Sequence, residues 1–239
     1  MEDLVGEELS AFRKEIKYII PLAKLSEVKR CLEKLMVRDS HCIKDAYTIR
    51  SVYFESINNI DFAQKLAGID VRKKVRLRIY NGDDSLCKLE LKQKKGDWQN
   101  KQSLILSKDD AEALSAGRYE VLKRYFQNSE TAVKAYNIMQ LGCYRPVVMV
   151  EYDRLAYQYP LYDTRITLDM DIRSTEANLN IFSSSVNYVP IMYETAVLEI
   201  KYSGKCMGFV RDAFGHFNLT QSSYSKYCSG RKVFYDFNY

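Results

Sequence analysis

The segment Arg72 to Lys94, RKKVRLRIYNGDDSLCKLELKQK, decides how the chain is read. It divides into two extended runs around Asn81-Gly82-Asp83-Asp84. Successive side chains of a strand point to opposite faces, so Arg72, Lys74, Arg76 and Arg78 share one face while Val75, Leu77 and Ile79 share the other. The second run repeats the arrangement, with Lys88, Glu90, Lys92 and Lys94 against Cys87, Leu89 and Leu91. Like charges opposed across a ladder destabilise it; two adjacent cationic strands therefore ask for an anion between them. One such hairpin alone would be the ordinary solvated side of a half-buried antiparallel sheet. Its recurrence elsewhere is the test.

The pattern recurs on both sides. Upstream, FRKEIKYII at 12–20 sets Arg13, Glu15 and Lys17 against Phe12, Lys14, Ile16 and Tyr18, and YTIRSVYFE at 47–55 is a further strand. Downstream, 98–106 places Lys101 and Ser103 opposite Gln102, Leu104 and Leu106, and 145–159 carries Tyr152 and Arg154 on one face. Residues 164–173 alternate Arg165, Thr167, Asp169, Asp171 and Arg173 with Ile166, Leu168, Met170 and Ile172. Residues 193–203 set Val197, Glu199 and Lys201 against Leu198, Ile200 and Tyr202. Helices are expected at 21–36, with Leu22, Leu25, Val28, Leu32 and Leu35 as one stripe, at 58–66, from Ser107 to about 116, and at 130–140. The stretch 174–190 reads as a polar loop without recognisable chemistry.

Eight strands with mostly short connections favour antiparallel pairing and suffice to close a barrel that holds a ligand. The expected fold is therefore α+β, an eight-stranded antiparallel β-barrel with its aliphatic outer face covered by helices. Burying so many cations in a dry interior costs several kcal/mol per ion, so the barrel must be a wet tunnel with an anionic tenant.

Bulk properties narrow the function. The 239 residues can bury a sizeable core, and a net charge of +5 is too mild for a histone-like neutraliser. Six cysteines show no CxxC pair, which suggests neither a zinc knuckle nor a disulfide framework; they are expected to be reduced and mostly buried. The two histidines, His41 and His216, form no Ser-His-Asp or Cys-His arrangement. The acidic start MEDLVGEELSAF lacks an apolar core, and no apolar run approaches a membrane span. A cytoplasmic location is expected, with membrane association only through a partner.

Seven short blocks, RKEIKY (13–18), RLRIY (76–80), LELKQK (89–94), YDRLAY (152–157), RITLD (165–169), LEIKY (198–202) and SKY (225–227), resemble in order the signature blocks of the VTC domain. That is the polyphosphate polymerase domain of the vacuolar transporter chaperone family, a branch of the triphosphate tunnel metalloenzymes, or CYTH proteins. The resemblance covers nearly the whole chain and implies one tunnel domain at 12–230, with 1–11 and 231–239 as terminal extensions. It also implies a phosphate grip of Lys17, Arg76, Arg78, Lys92, Arg154, Arg165 and Lys226, joined by Lys101 and Lys201, with Arg154, Arg165 and Lys226 closest to the chemistry. Glu199 would hold Mg or Mn, with Glu90 and Asp169 as further candidates. ATP and polyphosphate would be the ligands. Two positions depart from the pattern. Arg13 stands where the hydrolytic branch has the first glutamate of its ExExK motif, and Ser223 stands where eukaryotic polymerases tend to have a lysine.

Three functions follow from the resemblance: a polyphosphate polymerase using ATP; a tripolyphosphatase or nucleoside triphosphatase in the same tunnel; and a non-catalytic polyphosphate-binding subunit that accompanies a membrane protein. Nucleic acid is not an expected partner, because binding single strands takes exposed aromatic platforms interleaved with the cations. A Glu199→Gln change is expected to abolish activity with little loss of thermal stability.

Overall fold

The computed structural model describes residues 5–40, 42, 46–83, 85–96, 98–159, 163–203 and 208–235. Expectations placed on His41, Asp84, Cys206 and the outermost residues of both terminal extensions lie outside them. The expected boundaries at 12 and 230 fall inside elements, since the first strand starts at Glu8 and the last helix runs to Tyr235.

Eight long strands carry the architecture: β1 (Glu8–Pro21), β3 (Tyr47–Glu55), β4 (Arg72–Tyr80), β5 (Cys87–Lys95), β6 (Trp98–Leu106), β7 (Arg145–Tyr159), β8 (Thr164–Thr175) and β10 (Thr195–Tyr202). The order β7-β3-β4-β5-β6-β1-β10-β8 closes on itself through the pairing of β7 with β8, so each of the eight has two antiparallel neighbours. The eight-stranded antiparallel barrel expected from the alternation is the fold. Three two-residue strands are added to it: β2 (Val37–Arg38) on β7, β9 (Val189–Pro190) on β8 and β11 (Thr220–Gln221) on β1.

The β4–β5 hairpin turns where Asn81 and Gly82 both take positive φ, 52° and 69°, the conformation that an Asn-Gly pair adopts at little cost. Asn81 also ties this corner to β3, since Thr48 N donates to its Oδ1 at 3.0 Å while Asn81 N donates to the Thr48 carbonyl at 2.9 Å.

Two aliphatic layers coat the outside of the barrel. On one side Val75, Leu77, Ile79, Leu89, Leu91, Leu104 and Leu106 pack under α3 (Lys108–Ser115), a 3₁₀ helix (Tyr119–Tyr125) and α4 (Glu130–Leu141). Ser107 and Ser129 cap α3 and α4 by accepting from Asp110 N and Ala132 N, as serine does at helix starts. On the other side Leu155, Tyr157, Ile166, Leu168, Leu198 and Ile200 lie under α1 (Leu22–Leu35) and α5 (Gly208–Gly215). The α1 stripe is narrower than the spacing suggests: Val28 and Leu32 are buried, but Leu22 and Leu35 are exposed at the ends of the helix. The short α2 (Ile60–Leu66) is pinned by Glu55, whose carboxylate accepts from Asp61 N and Phe62 N.

Two features depart from the sequence reading. First, β8 does not keep its phase. Asp171 takes φ 48°, and the register with β7 shifts between Glu151 and Asp153, the signature of a bulge. Arg165, Thr167 and Asp169 therefore belong to the inner face, whereas Asp171 is exposed and Arg173 turns outward to Glu151. There Arg50 and Arg173 flank the Glu151 carboxylate, and Arg50 also donates to the carbonyls of Ile181 and Ser183, which anchors the 174–190 loop. Second, helix α6 (Lys226–Tyr235) enters the barrel. Its Tyr227 and Cys228 join an inner apolar cluster with Tyr53, Val150, Tyr152 and Ile172. Gly230 lies so close to β7 and β8 that an added Cβ would stand 3.1 Å from Val150 Cγ2 and 3.3 Å from Ser174 Cβ. One end of the lumen is thus partly filled by protein.

Candidate functional site

The inward faces of the strands enclose a cavity of about 860 Å³. Eleven lysines and arginines line it: Lys17 from β1, Lys74, Arg76 and Arg78 from β4, Lys88 and Lys92 from β5, Lys101 from β6, Arg154 from β7, Arg165 from β8, Lys201 from β10 and Lys226 from α6. All nine cations singled out in the sequence are among them. Of the three carboxylates, Glu199 lines the cavity, while Glu90 and Asp169 stand behind its wall, fully buried and engaged with arginines. Glu15 lines it too, as do Tyr47, Tyr53, Tyr80, Tyr152 and Tyr227.

Each strand delivers its cations through the two-residue period, and carboxylates interleaved on the same faces hold them apart. Glu90 is one hub. Its Oε2 accepts from Arg76 Nε at 2.6 Å, its Oε1 lies 2.7 Å from Lys101 Nζ, and Arg78 approaches at 3.6 Å. Arg76 is also held by Tyr53 OH at 3.0 Å, and Arg78 by Ser51 Oγ and Tyr152 OH at 3.2 and 3.3 Å. Burial pushes the Glu90 carboxyl up, but Arg76, Arg78 and Lys101 together hold it well below the usual range.

Glu199 and Asp169 form the second hub. Asp169 takes a two-pronged grip from Arg154, at 2.6 and 2.8 Å, and lies 2.5 Å from Lys226, the fork geometry that matches guanidinium to carboxylate. Glu199 meets Lys201 at 2.6 Å, Lys226 at 3.1 Å, Lys17 at 3.3 Å and Arg154 at 3.6 Å. Against the cost of burial these four cations hold its carboxyl far below the usual range. Lys226 is correspondingly raised, because Asp169 and Glu199 outweigh its burial. Lys201 moves the other way, down to about 8, since burial and the nearby Arg154 outweigh Glu199.

Glu15 supplies a third, smaller centre between Lys17 at 2.9 Å and Lys92 at 3.0 Å. Arg165 is held by Asp39, which follows β2, at 2.7 Å and by the cavity-lining Tyr47 OH at 3.1 Å. The sequence reading did not single out Glu15, Lys74 or Lys88 as site residues. All three were legible as members of inward faces, and Glu15 sits two residues before Lys17 on the same face.

A second cavity of about 450 Å³ adjoins the first and shares Glu15, Lys17, Lys74, Lys92, Gln99 and Ser225 with it. It continues past Lys65, Arg72, Lys73 and Lys94. Along β4 the lining runs from Arg72 in the second cavity to Tyr80 in the first, a span of about 25 Å at the usual strand rise. The site is an elongated channel with cations on every side.

Oxygen donors suited to a hard divalent cation face this channel at Glu199 and Glu15, and such a cation is commonly held by one or two carboxylates with the remaining positions left to substrate and water. Among the described residues no cluster of three or more His, Cys, Asp or Glu side chains is placed to hold a metal ion. No helix among them is long and apolar enough to cross a membrane.

Comparison with known proteins agrees with the geometry. The barrel is similar to a candidate adenylate cyclase from Bacillus halodurans, at TM-score 0.53 and 15% identity over 90% of this chain and 95% of that one. It is similar also to a candidate adenylyl cyclase from Hippeastrum described as having a dominant triphosphatase activity, at TM-score 0.55 and 13% identity over 92% and 96%. A chain of the Schizosaccharomyces pombe Mediator head module matches at TM-score 0.50 and 10% identity over 89% and 100%. At such identities these likenesses establish the fold, and one fold hosts many activities. No curated protein matches the chain in sequence. The VTC domain family, however, matches residues 12–235, and over that span, which includes every cation and carboxylate of the channel, the chain belongs to the VTC domain family.

Proposed function

We propose that the chain is a metal-dependent polyphosphate polymerase that transfers the γ-phosphate of ATP to a polyphosphate chain held in the channel. The observation that carries this reading is the surplus of positive charge. Eleven cations line the lumen, and five carboxylates answer them: Glu15, Glu90, Glu199, Asp169 and Asp39. The surplus surrounds the axis of the channel, where an extended anion can neutralise it from within.

Phosphoryl transfer asks a protein chiefly to align the attacking and leaving oxygens and to neutralise the charge spread over the transferred group. Here Arg76 and Arg78 approach the axis from β4, Arg154 from β7 two strands away, Arg165 from β8 and Lys226 from α6. Their forks are pre-aimed by Glu90, Asp169, Asp39 and three tyrosine hydroxyls, which limits the reorganisation needed as the phosphate moves. Lys17, Lys92 and Lys201 contribute mobile point charges. Glu199, with Glu15 beside Lys17, is where a Mg or Mn ion would be held; such an ion neutralises phosphate oxygens and orients the leaving group. Enclosure by the ring and by α6 limits access of water, which would otherwise compete as acceptor.

The deciding experiment incubates the purified chain with ATP, Mn and a short polyphosphate primer and resolves the products on a gel. Lengthening chains with matching ADP are expected. Free phosphate alone would replace the polymerase by a triphosphatase using the same channel. Polyphosphate binding without turnover would leave an accessory binding subunit, whose membrane-protein partner would then be the object to find.

A further inference from the structure

Lys74 stands at the waist between the two cavities and lines both. Each of the nine cations of the phosphate grip is answered by Glu15, Glu90, Glu199, Asp169 or Asp39. Lys74 is different: among the described residues no carboxylate lies within ion-pair distance of it. Its Nζ meets the Ser225 hydroxyl at 2.7 Å and the face of the Tyr227 ring at 5.5 Å. The charged and titratable groups around it are Arg76 on its own strand, Lys17 and Glu15 on β1, Lys92 on β5, Lys65 on α2, and Tyr227 and Cys228 on α6. Most of these are cationic. An ammonium removed from water among like charges is disfavoured, and burial, with Lys17, Lys92 and Arg76 adding to it, pulls Lys74 down to about 7.

We propose that Lys74 and Ser225 form a phosphate subsite at the waist, at which a bound phosphate group draws a proton from solvent onto Lys74. The anion supplies the counter-charge that the described residues of the protein do not supply at this position, and Ser225 Oγ fixes where the ε-amine points. The inference rests on the reading of the channel as a polyphosphate site, since the ligand must extend from the lumen into the second cavity. The sign follows from the geometry. Lys74 gains its partner only in the bound state, so its contribution to affinity is complete below about pH 7 and is lost as pH rises through the higher value it takes when bound.

The test is calorimetric titration of the metal-free chain with tripolyphosphate at pH 7.5, in two buffers of different ionisation enthalpy, for the native chain, Lys74→Met and Lys74→Arg. A group titrating near 7 is about one quarter protonated at this pH, so the native chain should take up about 0.7 proton more per ligand than Lys74→Met. Protonation of tripolyphosphate and of Lys201 contributes alike to all three and cancels in the differences. Lys74→Met should bind about tenfold or more weakly, as expected for loss of a charge-assisted bond. Lys74→Arg, which stays charged, should bind without the extra uptake and lose less affinity than the native chain between pH 7 and 8.5. If Lys74→Met does not fold, the native and Lys74→Arg pair carries the same comparison. Equal uptake in native and variant chains overturns the subsite and leaves the channel reading standing. Failure of the native chain to bind tripolyphosphate overturns both.

Discussion

Replacing Glu199 by glutamine removes the one lumen-facing carboxylate that four cations share, at 2.6 Å (Lys201), 3.1 Å (Lys226), 3.3 Å (Lys17) and 3.6 Å (Arg154). The sequence suggested a neutral effect on stability; the structure argues otherwise. Breaking a buried ion pair by deleting one partner costs about 3–5 kcal/mol, because the other charge is left uncompensated. Here the lower end applies. Lys226 and Arg154 retain Asp169, Lys17 retains Glu15, and the side chains of Lys17 and Lys201 are 20% and 22% exposed. At about 3 kcal/mol, and about 2–4 °C per kcal/mol for a chain of this size, Glu199→Gln should melt roughly 6–12 °C lower in a buffer poor in multivalent anions. Tripolyphosphate should restore more of that loss than it adds to the native protein, since the variant lumen carries one more uncompensated positive charge. Turnover with Mg or Mn should fall at least about a hundredfold. Thermal melts with and without tripolyphosphate read the first two effects, and ADP release reads the third. An unchanged melting temperature, or equal anion rescue in both proteins, would refute Glu199 as the charge-balancing hub.

Arg165→Ala removes a fork held by Asp39 and Tyr47; turnover should drop about 100- to 1000-fold, while the melting temperature falls less than in Glu199→Gln, because the buried Asp39 keeps the Gln158 amide as a donor at 2.9 Å, and steady-state kinetics beside a melt check both. Gly230→Val should force α6 off Val150 and Ser174 and carry Lys226 with it, so tripolyphosphate binding should be lost even where circular dichroism shows the barrel intact. The carboxyls of Glu15, Glu90, Asp169 and Glu199 are all lowered by their cationic neighbours despite burial. Stability from groups with depressed values is complete above the unfolded carboxyl range, about pH 4–4.5, and is lost as pH falls through the folded values. Melting temperatures should hold from pH 7 to about 5 and then decline steeply, and Glu90→Gln should show a shallower decline from a lower start.

Most of the barrel was legible because one physical rule, the two-residue side-chain period, is obeyed by β3 to β6 and by β7 with few interruptions. The cations of β4 and β5 could be assigned to the lumen from spacing alone. The same rule misled at β8, where a bulge at Asp171 flips Arg173 outward; nothing in the residue types there distinguishes a bulge from a continuous strand. Helix α6 was missed because the middle of its buried face is Gly230 and Arg231, which leaves Tyr227, Cys228 and Tyr235 without a continuous apolar stripe between them. Lined-up cations do not all require an anion from outside. The protein answers many of them itself through Glu15, Glu90, Asp169 and Glu199, and those pairings depend on distances across the ring that spacing along a strand cannot supply. Lys74 was placed on the right face, but that it lacks such an answer among the described residues is visible only in three dimensions.

The closed ring also dictates an order of assembly during synthesis. Strand β1 pairs with β6 and with β10, so the first strand of the ring to be made must wait for residues near 200 before it has both neighbours. The cationic half of the wall, on β4 and β5, is made long before Asp169 and Glu199 arrive to balance the other half, and Lys226 comes after them all. Pairings this distant in sequence are slow to form, and until they do the nascent chain exposes a strongly basic hairpin with its own internal counter-ion, Glu90, already in register opposite Arg76. That early pair offsets part of the repulsion between the two basic strands while the barrel is half made.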